Sequence, residues 1–260
     1  MRLTEERLFS CGVIPWASPI VFFGDAERAK VATVGINPSN REFVDEVGQE
    51  LEGTDRRFPT LRSLGRKSWA DCDDQDIDCL LEHGLGYFSN RPYGLWFNKL
   101  EALISQTGSS YYNTLNPACH LDIIPYATGE KWMSLTGRQK NALLSEAGDT
   151  LGAALAASEI ELLILNGSSV VNAVSRIFNL ELSAFKKTEL DLPRRATSNV
   201  AGLCYEGNIT EIRGHSVDRS IKVIGFNHNI QSSFGVTSDV IKNLSKWVGS
   251  FSRERQSAAC

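Results

Sequence analysis

Four short runs of the chain are apolar or β-branched with no polar alternation: Lys30–Ile36, His120–Ile124, Glu161–Leu165 and Ile221–Phe226. A strand with one face in water alternates apolar and polar side chains. A run that does not alternate suits a strand covered on both faces of a parallel sheet. Between the runs the spacing changes to that of helices with one apolar face. Leu95, Trp96, Leu100, Leu103 and Ile104 form one such set, and Leu143, Leu144, Ala147, Leu151 and Leu155 a second. Val170, Val171, Val174, Ile177 and Phe178 form a third, with Ser168 or Ser169 as its cap. Val240, Ile241, Leu244, Trp247 and Val248 form a fourth, starting near Thr237. The alternation predicts an α/β fold, a three-layer α/β/α sandwich with a central, mostly parallel four-stranded sheet.

Residues 180–219 carry no strong period and hold Pro193, Gly202, Gly207 and Gly214. They are expected to form an irregular or hairpin insert, the kind of segment that often borders a binding site. The tail, 251–260, is expected to be frayed. The rest reads as one domain spanning 1–260, because 42% hydrophobic and 22% charged residues in 260 allow a single sizeable core.

Charge narrows the possible partners. A net charge of −4 argues against an indiscriminate nucleic-acid coat protein. It leaves room for a local basic face built from Arg56-Arg57, Arg62 with Arg66-Lys67, Lys186-Lys187 or Arg194-Arg195. The six cysteines, Cys11, Cys72, Cys79, Cys119, Cys204 and Cys260, form no C-x-x-C pair and sit at no zinc spacing with His. They read as reduced thiols, with no metal and no iron–sulfur cluster implied. There is no apolar run of about 20 residues and no signal-peptide pattern at the start, so a cytoplasmic protein without a membrane partner is expected. No G-x-G-x-x-G follows the first strand and there is no P-loop, which weakens a nucleotide-dependent enzyme. No organic cofactor and no obligate protein partner are implied.

In open α/β sheets, ligands bind beyond the carboxyl ends of the strands. The segments there are 35–43 (GINPSNREF), 125–128 (PYAT), 166–169 (NGSS) and 227–235 (NHNIQSSFG), all rich in polar residues and glycine. Gly35-Ile36-Asn37-Pro38-Ser39 resembles the first motif of the uracil-DNA glycosylase superfamily, in particular its mismatch-specific and thymine-DNA glycosylase branch. Asn227-His228-Asn229-Ile230-Gln231-Ser232-Ser233 resembles the second motif, with Asn229 where a Pro is customary. The resemblance covers roughly residues 20–45 and 160–248.

That resemblance implies a monofunctional DNA glycosylase, whose partner is DNA with one pyrimidine flipped out of the stack. Asn37 would hold the attacking water through its side-chain carbonyl, with Glu42 or Asp45 as alternative carboxylates. His228 would donate to O2 of the departing base, stabilising charge that develops in the transition state. Ile36 would line the base pocket and Phe43 would stack on the base. Ser39, Ser168, Asn229, Ser232 and Ser233 would hold the DNA backbone, and Phe234 would wedge into the gap. Each has a structural alternative: Asn37 as a turn residue before Pro38, Phe43 as ordinary core, Phe234 packed under the last helix.

Strand alternation puts His120, Asp122 and Ile124 on one face. An ionised Asp122 is an acceptor, suited to the exocyclic amine of cytosine, unless it serves only as a buried partner of His120. Ser39-Asn40-Arg41 offers no Tyr to block substituents at C5 of the base. A 5-substituted cytosine, such as the glucosylated hydroxymethylcytosine of phage DNA, fits these features, and the chain is similar to an antiviral branch of the superfamily that removes that base. A uracil or mismatch repair glycosylase, and a catalytically silent nucleic-acid binding protein, are the other readings.

Overall fold

The computed structural model describes residues 5–194, 198–212 and 219–258. Arg195, Gly214, His215 and Cys260, named above, lie outside the described residues. The strands are β1 (Val31–Gly35), β2 (Ala118–Asp122), β3 (Leu162–Asn166), β4 (Ser183–Lys186), β5 (Leu203–Ile209) and β6 (Ile221–Phe226). The helices are α1 (Glu5–Ser10), α2 (Leu61–Leu64), α3 (Asp74–Leu85), α4 (Gly94–Ile104), α5 (Gly137–Ala156), α6 (Ser168–Ile177) and α7 (Ser238–Ala258).

The sheet has six strands in the order β2-β1-β3-β6-β5-β4, not the four expected. The expected four are its parallel part: β1 pairs β2 and β3, and β3 pairs β6, all parallel. The extra two come from 180–219. There β4 and β5 form an antiparallel pair that joins β6, so the hairpin alternative describes this segment and extends the sheet. Their mixed exposure hides them from a search for doubly covered runs. The tail departs from expectation too, because α7 continues through Ala258.

Side chains leave the parallel strands alternately for two cores. Val31, Ala118, Leu162, Ile164, Ile224 and Phe226 join Leu100, Leu103 and Ile104 of α4 and Val240, Leu244 and Val248 of α7. Ala32, Val34, Leu121, Leu163, Leu165 and Val223 join Leu143, Leu151 and Leu155 of α5 and Val170 and Val174 of α6. Helices thus cover both faces, as the doubly apolar strands require. Burying each Val, Leu, Ile or Phe among them contributes roughly 1.5–3 kcal/mol.

The outer edge of β2 is covered. Phe23 pairs with His120 through N–H to O bonds of 2.9 Å in both directions, so a short extended piece of chain continues the sheet antiparallel. Among the described residues no helix is long and apolar enough to cross a membrane.

Candidate active site

The parallel strands bring Asn37, Asp122, Asn166 and the start of the 227–235 loop to the carboxyl end of the sheet, at or within two residues of the strand ends. Asn37 is half-buried and its amide is oriented. Its Nδ2 donates to Thr128 Oγ1 at 3.1 Å, Pro38 O at 3.2 Å and Tyr126 O at 3.4 Å. Thr128 donates its own proton to Glu130 O, so it can only accept from Asn37. That fixes the nitrogen end and leaves the carbonyl Oδ1, which has no partner among the described residues, to accept from a water. Ser39 beside it caps the short turn 40–42, its Oγ accepting from Arg41 N at 3.2 Å. Ile36 is half-buried and packs toward the α5/α6 core.

On the other face of the same strands lies a buried polar chain. Tyr111 Oη bonds Thr33 Oγ1, and Thr33 Oγ1 lies 2.7 Å from His120 Nδ1. His120 Nε2 lies 3.5 Å from Asp122 Oδ1, and both side chains are 3% exposed. Asp122 is therefore buried beside His120, and meeting a base requires the cover over it to open. Gly35 makes the room, because a Cβ there would stand 2.3 Å from Asp122 Oδ1 and 3.0 Å from His120 Nε2. Ile124 does not share this face. The strand ends at Asp122, alternation stops with it, and both Ile123 and Ile124 enter the α5/α6 core.

Glu42 borders the same chain. It is buried and its Oε2 accepts from Tyr87 Oη at 2.8 Å. Burial pushes its carboxyl up to about 7; the Tyr87 hydrogen bond and the Arg57 charge pull the other way, and the negative Asp122 adds to the rise. Of these residues, sequence reasoning missed Thr33, Gly35, Tyr87, Tyr111 and Thr128 as contributors. Thr33 and Gly35 were the visible signal, two non-apolar positions in step with His120 and Asp122 along paired strands.

Phe43 is 1% exposed and packs edge-on against Trp16 at 6.2 Å, with Phe58 at 6.1 Å. It is core here, not an open stacking surface. His228 is buried and turned toward the insert, with Nε2 3.1 Å from Leu190 O. A carbonyl can only accept, so Nε2 carries the proton. Burial lowers the pKa of this ring, against an opposing contribution from the Leu190 bond. Donation to a departing base requires the ring to exchange Leu190 O for the base.

The 227–235 loop is clamped from below. Buried Asn166 accepts from Ile230 N at 3.1 Å and donates to Gln231 Oε1 at 2.5 Å. Asn227 is committed to Ala201 O and Leu203 N. Asn229 Oδ1 accepts from Gln231 N and Ser232 N, closing a turn. Gly167, at φ +101°, takes a conformation that other residues rarely adopt and lets Asn229 approach to 3.1 Å of its missing Cβ. Ser168 is exposed at the start of α6. Ser232 is exposed and Ser233 half-buried at the tip. Phe234 is 79% exposed, so the alternative of packing under the last helix does not apply. Arg194 holds it, with its guanidinium 5.2 Å from the ring centroid and Nη1 donating to Phe234 O at 2.7 Å.

The basic clusters are largely spent on the protein itself. Arg62 pairs with Glu52 at 2.6 Å, and Arg66 with Asp73 and Asp76 at 2.5 and 2.7 Å. Arg57 donates to the carbonyls of Arg41 and Arg91. Lys186 and Lys187 lie near Asp191 and Glu189 at 3.8 and 3.6 Å. Arg194 stands at the exposed loop tip through its contacts with Phe234. Two cavities are lined by other parts of the chain, and neither includes Asn37 or His228. Among the described residues no group of three or more His, Cys, Asp or Glu is arranged to hold a metal ion.

No family model matches this chain, and no curated protein matches it.

Proposed function

We propose that this protein is a monofunctional DNA glycosylase that flips out a modified pyrimidine, a 5-substituted cytosine such as the glucosylated base of phage DNA, and hydrolyses its bond to deoxyribose. The observation that carries the reading is the oriented amide of Asn37 at the same end of the sheet as Asp122, one strand away. In this mechanism the glycosidic C–N bond breaks first, the pair leaving with the base. Water held by Asn37 Oδ1 adds to C1′ of the oxocarbenium-like sugar and releases its proton to solvent. An amide carbonyl is a weak base, sufficient for so electrophilic a carbon. Asp122 accepts from the exocyclic amine of cytosine, and the neutral His228 donates to O2 as charge gathers there. Phe234, projecting from a loop whose base is clamped by Asn166, fills the space left in the stack.

The test is direct. The protein is incubated with otherwise identical duplexes holding glucosylated hydroxymethylcytosine, uracil or cytosine, and abasic sites are counted. Abasic sites in the first duplex alone are expected. Abasic sites only with uracil would move the assignment to a repair glycosylase. The bond between His228 and Leu190 O favours one second reading, a binding module without catalysis. Its signature would be DNA affinity unchanged by Asn37→Ala, with no product from any base.

A further inference from the structure

The helix α3 has 12 residues, yet its buried positions are Asp76 and Gly84. Gly84 lies against the chain covering the β2 edge, where an added Cβ would meet Phe22 at 2.9 Å. The apolar side chains of α3 do not close over that contact. Ile77, Leu81 and Leu85, spaced four apart on one helical row, are 48%, 40% and 54% exposed. Ile77, Leu80 and Leu81 instead form one wall of a cleft of about 180 Å³, with Val21 and Phe22 opposite and Phe58 also lining it. A second row, Asp74, Asp78 and Glu82, runs beside the first with the same spacing. All three carboxylates are exposed, and none makes an ion pair among the described residues. Their neighbours Asp73 and Asp76 share one cation, Arg66, and keep a net negative charge between them.

We propose that this cleft docks a basic amphipathic helix of a protein partner, its apolar side chains entering between α3 and Phe22 and its lysines or arginines facing the acidic row. Helix-in-groove recognition needs an apolar slot matched to side chains three and four residues apart, together with a charged rim that fixes orientation. Both are present, and the sign of the rim selects the occupant. A second copy meeting the same patch would set two acidic rows against each other. Nucleic acid and anionic lipid would meet the same repulsion. None of the cleft residues belongs to the proposed glycosylase site, so the inference stands independently of that reading.

The probes are two fluorescein-labelled helical peptides of about 16 residues with identical leucines at helical spacing, one with Lys and the other with Glu at the flanking positions. Anisotropy with the full chain is expected to show the Lys peptide binding at least about ten-fold more tightly than the Glu peptide. Leu81→Asp is expected to abolish that binding. Asp78→Lys with Glu82→Lys, at exposed positions where folding is least disturbed, is expected to reverse the preference. Equal binding of both peptides, binding of neither, or a preference unchanged by the double charge reversal would overturn the proposal. So would a dimer seen in sedimentation that is lost in Leu81→Asp, which would make a second copy the occupant.

Discussion

Thr128 decides which end of the Asn37 amide faces outward: its Oγ1 donates to Glu130 O at 2.7 Å and must therefore accept from Asn37 Nδ2 at 3.1 Å. Thr128→Val keeps the shape and removes the acceptor, freeing the amide to rotate. Turnover is expected to fall about ten- to a hundred-fold with KM little changed, because orientation rather than binding is lost. Asn37→Ala is expected to cost at least as much. Steady-state kinetics on the excised-base substrate checks both, and a Thr128→Val rate equal to wild type would remove this role.

Gly35→Ala puts a methyl group where Asp122 Oδ1 stands, 2.3 Å from the added carbon. The carboxylate has to move within a packed interior. Overpacking of this kind destabilises by typically 1–3 kcal/mol. A lowered melting temperature is expected, together with loss of discrimination between modified cytosine and uracil. Unchanged melting would mean that the strand ends are looser than described.

The stability contributed by Glu42 depends on pH in a defined direction. Its carboxyl is raised from 4.5 to about 7 by burial. The neutral form is therefore favoured by folding, and the contribution is complete below 4.5 and lost as pH rises through about 7. A rise of that size corresponds to on the order of 3 kcal/mol. Glu42→Gln, neutral at every pH, is expected to flatten the decline in stability over that window in denaturant titrations. His228 acts in the opposite sense. Its lowered pKa makes its contribution present above 6.5 and lost as pH falls through the folded value.

Phe234→Ala removes an exposed ring and should leave folding untouched, since surface changes of this kind stay within about 0.5 kcal/mol. DNA affinity and the unstacking of a fluorescent base analogue beside the target are expected to drop. Arg194→Ala, which releases the loop carbonyl and the ring, is expected to give part of the same loss. Full base extrusion by Phe234→Ala would assign the wedge to another residue.

The parallel part of the sheet was legible because its strands are covered on both faces and show it in composition. Lys30–Ile36 became Val31–Gly35, and Ile221–Phe226 is β6 itself. The antiparallel pair was not, because β4 is mostly exposed and takes its register from β5, which is itself registered on β6. α3 was missed although Ile77, Leu81 and Leu85 stand on one helical row, a pattern interrupted by Gly84 and crowded by carboxylates. At the site, Asn37 could be assigned to a strand end from local pattern, whereas Asp122 was expected in the middle of 120–124 and the observed strand ends at it. The orientation of His228 could not be assigned, because it depends on Leu190, 38 residues away. The same holds for the arginines, whose carboxylate partners are set by tertiary contact, as Arg66 with Asp76 illustrates.

The cover on β2 has a bearing on how the protein survives crowding. Unpaired strand borders invite other chains to add on and propagate into fibres. Here one border is occupied by the bonds between Phe23 and His120, and the other ends in β4, four residues long, closing on Lys186 and followed by Lys187. A template so short and so cationic gives an incoming strand little to copy. Replacing the segment around Phe23 with one that cannot pair with β2 is expected to raise light scattering over time relative to wild type.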